Sequence, residues 1–409
     1  MQKGKEDVKK MKRYDIIIIG AGISGLSLAH YCARSGLDTL VLEKNGRTGG
    51  TFYSYRLDEA AGFWIELGAH TCYNSYGGLL SIMEECKLLD RILERRKVGY
   101  KMLVGGKLKS IPSELNFIEL LFSGPRIFTV KKEGRTIESY YSSIAGKRNF
   151  DRVFGPALSA VISQKANDFP ATILFKKRPR RKDIRKSFTL AGGLQTITDS
   201  IAAQPGIRFE SAKEVKTVMF SDDLFSVVTA DGAGYESKGL ALATPAAAAA
   251  ELSRTSFPEL SSILSRIKIA VSDAVGIVVR KDKVSLSPLA GIIPASDSFY
   301  SVVSRDAVSH SEYRGFTFHF KHGLIDHDAK LTRIAEVLGI PQRAIEQVVT
   351  TENLVPFLSV DHERLLGEID AQLNGKKILV TGNYLLGLAI EDCVLRSRSE
   401  FSRLKTVFN

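Results

Sequence analysis

The chain of 409 residues has little of what staples small folds or builds metal centres. Its four cysteines, Cys32, Cys72, Cys86 and Cys393, show no Cys-x-x-Cys spacing and no histidine partner at metal-site spacing. That argues against a disulfide framework and for a reducing compartment. The seven histidines are scattered, so no structural metal is expected. No uninterrupted apolar run approaches the roughly 18 to 20 residues that cross a bilayer. The most apolar window, Gly239 to Ala250, is short and broken by Pro245. Met1 to Arg13 is a charged stretch without the apolar centre of a secretory signal, expected to be a frayed arm on a cytoplasmic protein. There is no repeat, no low-complexity tract and no zinc-finger or recognition-helix pattern that would favour nucleic acid. At 44% hydrophobic and 25% charged residues the composition is that of an ordinary globular chain, long enough for two or three domains.

The strongest signal lies near the start. Tyr14-Asp-Ile-Ile-Ile-Ile leads into Gly20-Ala-Gly22-Ile23-Ser24-Gly25, and Asp38-Thr-Leu-Val-Leu ends in Glu43 followed by Lys44. An apolar run closing on Gly-x-Gly-x-x-Gly reads as a buried strand feeding a helix, here from about Ser24 to Ser35. Gly20 makes the turn, Gly22 admits a pyrophosphate to the backbone, and Gly25 lets helix and strand approach. The helix aims its positive end at the phosphates. Gly36 suits the helix stop, and Glu43 ends the second strand where an acid binds a ribose hydroxyl. Strand, triplet, helix, strand and acid together predict dinucleotide binding.

Further along, Arg47-Thr-Gly49-Gly50-Thr51 is a second glycine turn, and Gly62-Phe-Trp-Ile-Glu-Leu-Gly68-Ala69-His70 an extended segment closing on glycine. Residues 86–187 carry helical periodicity in places, including the amphipathic Asn116–Ser123 stretch. The pattern from Ile207 to Leu242 reads as antiparallel strands, with Val215 in the first long one; Ala243-Thr244-Pro245 then leads into an alanine helix. A β-rich block spans 266–322, and a helix follows around Ala329 to Gly339. The net charge of +12 is uneven: Lys176 to Lys186 holds eight bases and one acid. That run reads either as a solvated loop or as attraction to anionic lipid.

Taken in order, these motifs resemble the protoporphyrinogen oxidase branch of the flavin-containing amine oxidase superfamily. Ala191-Gly-Gly-Leu-Gln195 and Gly382-Asn383-Tyr384-x-x-Gly387-Leu388-Ala389-Ile390-x-Asp392-Cys393 extend the resemblance to the carboxyl end. It implies an α/β fold with a Rossmann-like FAD-binding domain and an inserted α+β substrate domain. The FAD-binding domain would be discontinuous, from 1–85, 188–265 and 365–409. Residues 86–187 would form a helical segment facing substrate and membrane, and 266–364 a mixed sheet over the flavin. The resemblance implies noncovalent FAD. Gly20, Gly22 and Gly25, with Ile23 and Ser24, would lie on the pyrophosphate and Glu43 on the adenosine ribose, beside Lys44. Arg47, Gly49, Gly50 and Thr51 would line phosphates and ribityl, and Gly68, Ala69 and His70 the flavin ring. Val215 would meet adenine and Thr244 the cofactor at a strand end. Gly382, Asn383, Leu388, Ala389 and Ile390 would contact the isoalloxazine. The family usually carries arginine where this chain has Thr51, and a base where Tyr100 and Lys101 stand, and this chain is somewhat short in the substrate-covering region.

The implied activity is oxidation of a porphyrinogen, protoporphyrinogen IX or coproporphyrinogen III, by hydride transfer to flavin N5 in haem biosynthesis, with O2 as acceptor. A flavin amine oxidase or carotenoid-type desaturase, and a non-catalytic FAD- or porphyrin-binding paralogue, are the alternatives. His70 is the candidate proton carrier or orienting donor, or a histidine bonded to backbone. Arg95, Arg96 and Lys101 are candidates for substrate carboxylates, or surface charges. Tyr384 either stacks by the flavin or packs in the core. The Asn116–Ser123 stretch with Arg126 and the basic run suggests peripheral contact with an anionic membrane on its inner face, against the plainer reading of a core-facing helix. The sequence carries no signal for oligomeric state.

Overall fold

The computed structural model describes residues 11–60 and 62–408, so most of the charged amino-terminal arm lies outside the described residues. The first strand, Lys12–Ile19, is covered on both faces. Ile16 and Ile18 enter one core with Val41, Ala241 and Leu28, while Ile17 and Ile19 enter another with Leu40, Leu42 and Leu240. This is why the run is continuously apolar: a parallel strand between two layers has no solvent face. Full burial of each isoleucine contributes about 2 kcal/mol.

From one edge, the first sheet runs Ile207–Glu210, Thr39–Leu42, Lys12–Ile19, Gly234–Leu242, Leu224–Thr229, Val215–Ser221. The first four strands are parallel and the last two antiparallel. Ile378–Val380 pairs parallel with the end of Gly234–Leu242, bringing the carboxyl-terminal segment beside the glycine turn. Ile207–Glu210, expected to be antiparallel like its neighbours in sequence, is instead parallel to Thr39–Leu42. The Gln195–Ala202 helix carries the chain back before this strand starts, and a helical crossover delivers a parallel partner. The nucleotide helix, Ile23–Arg34, packs its Leu26, Ala29 and Cys32 on this sheet together with Cys393, Val394 and Leu404 of the last helix, Ile390–Phe408.

The second sheet runs Ile345–Phe357, Lys268–Arg280, Tyr313–Lys321, Phe299–Ser304, Gly291–Pro294, Tyr100–Val104, Lys107–Ser110. One face is covered by the His327–Leu338 helix, through Ile334 and Leu338 against Val275, Ile277 and Phe318. The other receives Phe63, Ile65 and Leu67 of the hairpin Ser54–Arg56/Trp64–Glu66. Residues 86–187, expected to be helical, hold one short helical turn, Leu89–Arg91, and otherwise keep their helices between residues 111 and 162. Before that, Ile92–Glu94 pairs with Ser187–Leu190, and two strands joined by Gly105 and Gly106, both at positive φ, close the edge of the second sheet.

Candidate functional site

The glycine turn is shaped by close backbone contacts. A Cβ on Gly20 would lie 2.5 Å from the Ala243 carbonyl oxygen, and one on Gly25 would lie 2.0 Å from that of Gly20. Neither position tolerates a side chain. Gly22 caps the nucleotide helix without any side-chain hydrogen bond, and the first turn holds no acid. Its leading N–H groups therefore have no side-chain acceptor, as an anion-binding helix end requires. The second glycine turn closes on the first: the Gly49 amide donates to Ala21 O at 2.8 Å, and a Cβ on Gly50 would come within 3.5 Å of Gly22 Cα. The Thr244 hydroxyl is buried without a partner at the adjoining strand end.

Glu43 is 7% exposed at the end of its strand. One carboxylate oxygen accepts from the Ala21 amide at 2.9 Å, and the other from the Asn45 amide and side chain. A carboxylate has about four acceptor sites, so capacity remains for a hydroxyl. Lys213 donates its amide to Glu43 O, which draws the 212–215 segment and Val215 to the same corner. Lys44 is exposed. Arg47 is tied to the carbonyls of Thr48, Phe52 and Gly50 and stacks 4.0 Å over Tyr53, so it braces the loop around Thr51.

The carboxyl-terminal loop reaches this place from the other side. Ser397 Oγ donates to Ser24 O at 2.7 Å, and the Thr381 amide to Leu242 O at 3.1 Å. Gly382 and Ile390 are buried, while Asn383, Leu388 and Ala389 are half-buried along the loop. The Cys393 thiol is buried on the nucleotide helix, its pKa pushed up to about 12 by desolvation. Tyr384 is 1% exposed and belongs to the sheet core, with its hydroxyl unpartnered. The stacking role considered from sequence is corrected here to the packing one.

Beyond Gly68–His70 opens a small cleft of about 40 Å³, lined among others by Trp64, Glu66, His70, Arg95, Arg305 and Thr317. Second-sheet side chains hold its floor: Thr317 Oγ1 donates to Glu66 O and Asn353 Nδ2 to Leu67 O, each at 2.8 Å. Burial raises the Glu66 carboxyl to about 7, although Ser54 Oγ, the Leu194 amide and Trp64 Nε1 all donate to it. Burial, helped by Arg95 and His319, pushes His70 down to about 3, so its imidazole is neutral near neutral pH. That disfavours a charged imidazole in the proton-carrier role considered from sequence; its Nδ1 lies 2.8 Å from Thr71 Oγ1, a side chain rather than the backbone partner also considered. His319, bonded to Ser301, is likewise pushed down to about 4 by burial.

Arg95 donates to the His70 carbonyl at 3.2 Å. Arg305 donates to Val308 O and Gly62 O and stacks over Phe63 and Trp64, but its Nε is buried with no partner. Among the described residues neither arginine has a carboxylate partner. Arg96 and Lys101 are exposed outside the cleft. Sequence reading missed Glu66, Arg305, Thr317 and His319. Each lies inside an apolar strand or beside one, and only the pairing of strands far apart in the chain turns the first three to one cleft and sets His319 near His70. It also missed a group on the second sheet, Asp273, His322 and Glu352, whose ligand atoms lie within 4.8 Å of one another. Asp273 there already pairs with His322 at 2.6 Å and Lys330 at 2.5 Å.

Residues 23–280 match the profile of flavin containing amine oxidoreductases. The chain belongs to that family. It is similar to a flavin-containing amine oxidase of Danio rerio, 47% identical over 55 residues, which are 13% of this chain and 10% of the relative. It is also similar to a 15-cis-phytoene desaturase of Capsicum annuum, 33% identical over 81 residues, or 20% and 14% of the two chains. The matches thus span a small part of the curated relatives' length. The fold is similar to the crystal structure of a "Putative protoporphyrinogen oxidase" from Exiguobacterium sp. 255-15, with a TM-score of 0.77, 17% identity and coverage of 97% of this chain and 99% of that one. At that identity the likeness carries the fold. The family is described as flavin containing, and the uncapped helix, the two facing glycine turns and the orphaned Thr244 hydroxyl fit a flavin dinucleotide.

Proposed function

We propose that the protein is an oxidase that holds FAD noncovalently and oxidises a tetrapyrrole of the porphyrinogen type, protoporphyrinogen IX or coproporphyrinogen III. Gly20, Gly22, Gly25 and Gly50 would hold the pyrophosphate, Glu43 the ribose, and Gly68–His70 with Gly382–Ile390 the ring. Bound FAD would supply the two-electron acceptor. The chain's own residues orient the substrate and keep water out.

The observation that carries the substrate reading is Arg305: a cation in the cleft, without a carboxylate partner and with a buried donor unused. Its pKa is lowered to about 10 by burial, which marks a charge held at a cost. An anionic side chain such as a propionate relieves that cost with charge-assisted hydrogen bonds. A protonated amine meets Arg95 and Arg305, and the only carboxyl among the lining residues is Glu66, which burial keeps protonated up to about pH 7. A hydrocarbon leaves the cost unrelieved. Anaerobic mixing of the FAD-loaded protein with reduced porphyrinogen should bleach the oxidised flavin band, and bleaching by benzylamine or a polyamine instead would overturn the reading. Bound porphyrin without any bleaching would favour a carrier paralogue.

A second element of the proposal is docking on an anionic bilayer. In Phe117–Ser123 and Gly124–Phe128 no residue is buried. Phe117, Ile118, Leu121, Phe122, Ile127 and Phe128 are all more than half exposed, from 54% for Ile127 to 90% for Phe128. The core-facing reading of this stretch is therefore corrected. Arg126, Lys131 and Lys132 flank it, while the nearby Glu119 turns inward onto the amides of Arg148 and Asn149. No helix among the described residues is long and apolar enough to cross a membrane, and an apolar tip with a basic rim suits the interface.

A further inference from the structure

The basic run 176–186 is divided by the fold. Lys176, Lys177, Arg180 and Lys182 are all exposed, but Lys176 and the half-buried Arg178 turn onto the carboxyl-terminal loop. Lys176 Nζ donates to Leu386 O at 2.5 Å and to Asp392 Oδ1 at 3.1 Å; an Arg178 nitrogen donates to the same Oδ1 at 2.7 Å. Phe175, just before them, is held at φ 58°, a left-handed conformation that a bulky side chain rarely adopts. Such an outlier persists only where the surroundings fix it. The loop between Gly382 and Ala389 is also caught from the other side, by His362 Nε2 on Leu385 O at 2.6 Å.

Asp392 is 3% exposed, yet its second oxygen, Oδ2, has no partner. It lies against Gly387, at φ 141°, where an added Cβ would stand 2.7 Å from that oxygen. A buried carboxylate oxygen without a donor is costly, and an N–H or O–H of a ligand seated on the loop would relieve it. Asp392 is thus clamped on one oxygen and buried without a partner on the other, which lies against Gly387 of the loop.

We infer that Lys176 and Arg178 are positioning residues for the cofactor: they latch the Gly382–Ala389 loop to the 163–187 strap through Asp392, leaving Asp392 Oδ2 as an acceptor for a donor group of the bound flavin. This rests on the FAD reading above. In the latch the strap contributes to FAD affinity without contributing a surface to the cofactor. It also assigns to two of the eight bases a role unrelated to lipid.

The test is FAD titration of the full chain, followed by flavin fluorescence, for wild type, Lys176→Ala/Arg178→Ala, the charge-matched Lys177→Ala/Arg180→Ala, and the conservative Lys176→Arg/Arg178→Lys. The latch variant should lose about tenfold or more in FAD affinity, as expected for two charge-assisted hydrogen bonds. The charge-matched variant should stay within about twofold, and the conservative one should recover most of the loss. Equal affinity of the latch and charge-matched variants overturns the latch while leaving the FAD reading intact. A wild-type chain that binds no FAD removes both. Hydrogen exchange on wild type covers the case of a latch variant that does not fold. FAD should slow exchange in 382–389 and in 173–178 together, and protection confined to 382–389 overturns the proposal.

Discussion

Glu66→Gln should change the pH dependence of stability while leaving the cleft standing. Burial raises the Glu66 carboxyl to about 7 in the folded chain from an ordinary value near 4.5. The folded state therefore holds a proton through this window that the unfolded state has already released. Stability from this group is fully present below about 4.5 and is lost as pH rises through about 7. A shift of this size corresponds to about 3 kcal/mol at 1.36 kcal/mol per unit. Glutamine keeps the geometry: its oxygen can accept from Trp64 and the Leu194 amide, and its NH2 can donate to Ser54 Oγ. Urea unfolding of both proteins from pH 5 to pH 8.5 gives the difference directly. His70 and His319, whose depressed values remove stability as pH falls below 6.5, are common to both and cancel. The variant should gain on wild type by about 3 kcal/mol across the range. A difference that does not change with pH would refute the reasoning.

Glu43→Ala should weaken FAD binding by about tenfold or more, since a buried carboxylate hydrogen bond to a hydroxyl is lost, measured by fluorescence titration; unchanged affinity in a folded variant would contradict the ribose role. Arg305→Gln should leave FAD affinity intact and weaken a dicarboxylate porphyrin by about 10- to 100-fold, read by porphyrin fluorescence. Equal porphyrin binding would remove the anion argument. Phe122→Ser/Phe128→Ser should abolish sedimentation with vesicles containing phosphatidylserine, each lost aromatic contributing about 2 kcal/mol of insertion. Retained sedimentation would place the contact elsewhere.

In the expected cofactor half, the glycine turns and the strand-end acid were legible because their signals are local. Gly20, Gly22, Gly25 and Glu43 are fixed by turn geometry within one βαβ unit, and the spacing of those residues contains the physics. The substrate half was not. Glu66 and Arg305 meet only because the Ser54–Glu66 hairpin lies on a sheet built mostly from residues 268–357. Tyr384 illustrates the limit from the other side: position in a motif offered the flavin or the core, and the turn after Val380 buries the ring with Leu385 in the core. The direction of Ile207–Glu210 depended on the preceding helix rather than on its own residues. For the 116–128 tip, amphipathicity was visible, but only the fold decides whether the apolar side meets a core or solvent.

The central claim is that the amino-terminal glycine turns and the carboxyl-terminal loop enclose one flavin. The most direct measurement is the stoichiometry of FAD on the purified full chain, by absorbance before and after denaturation. The account predicts one FAD per chain, released intact on unfolding. Protein that stays colourless after equilibration with excess FAD would contradict it.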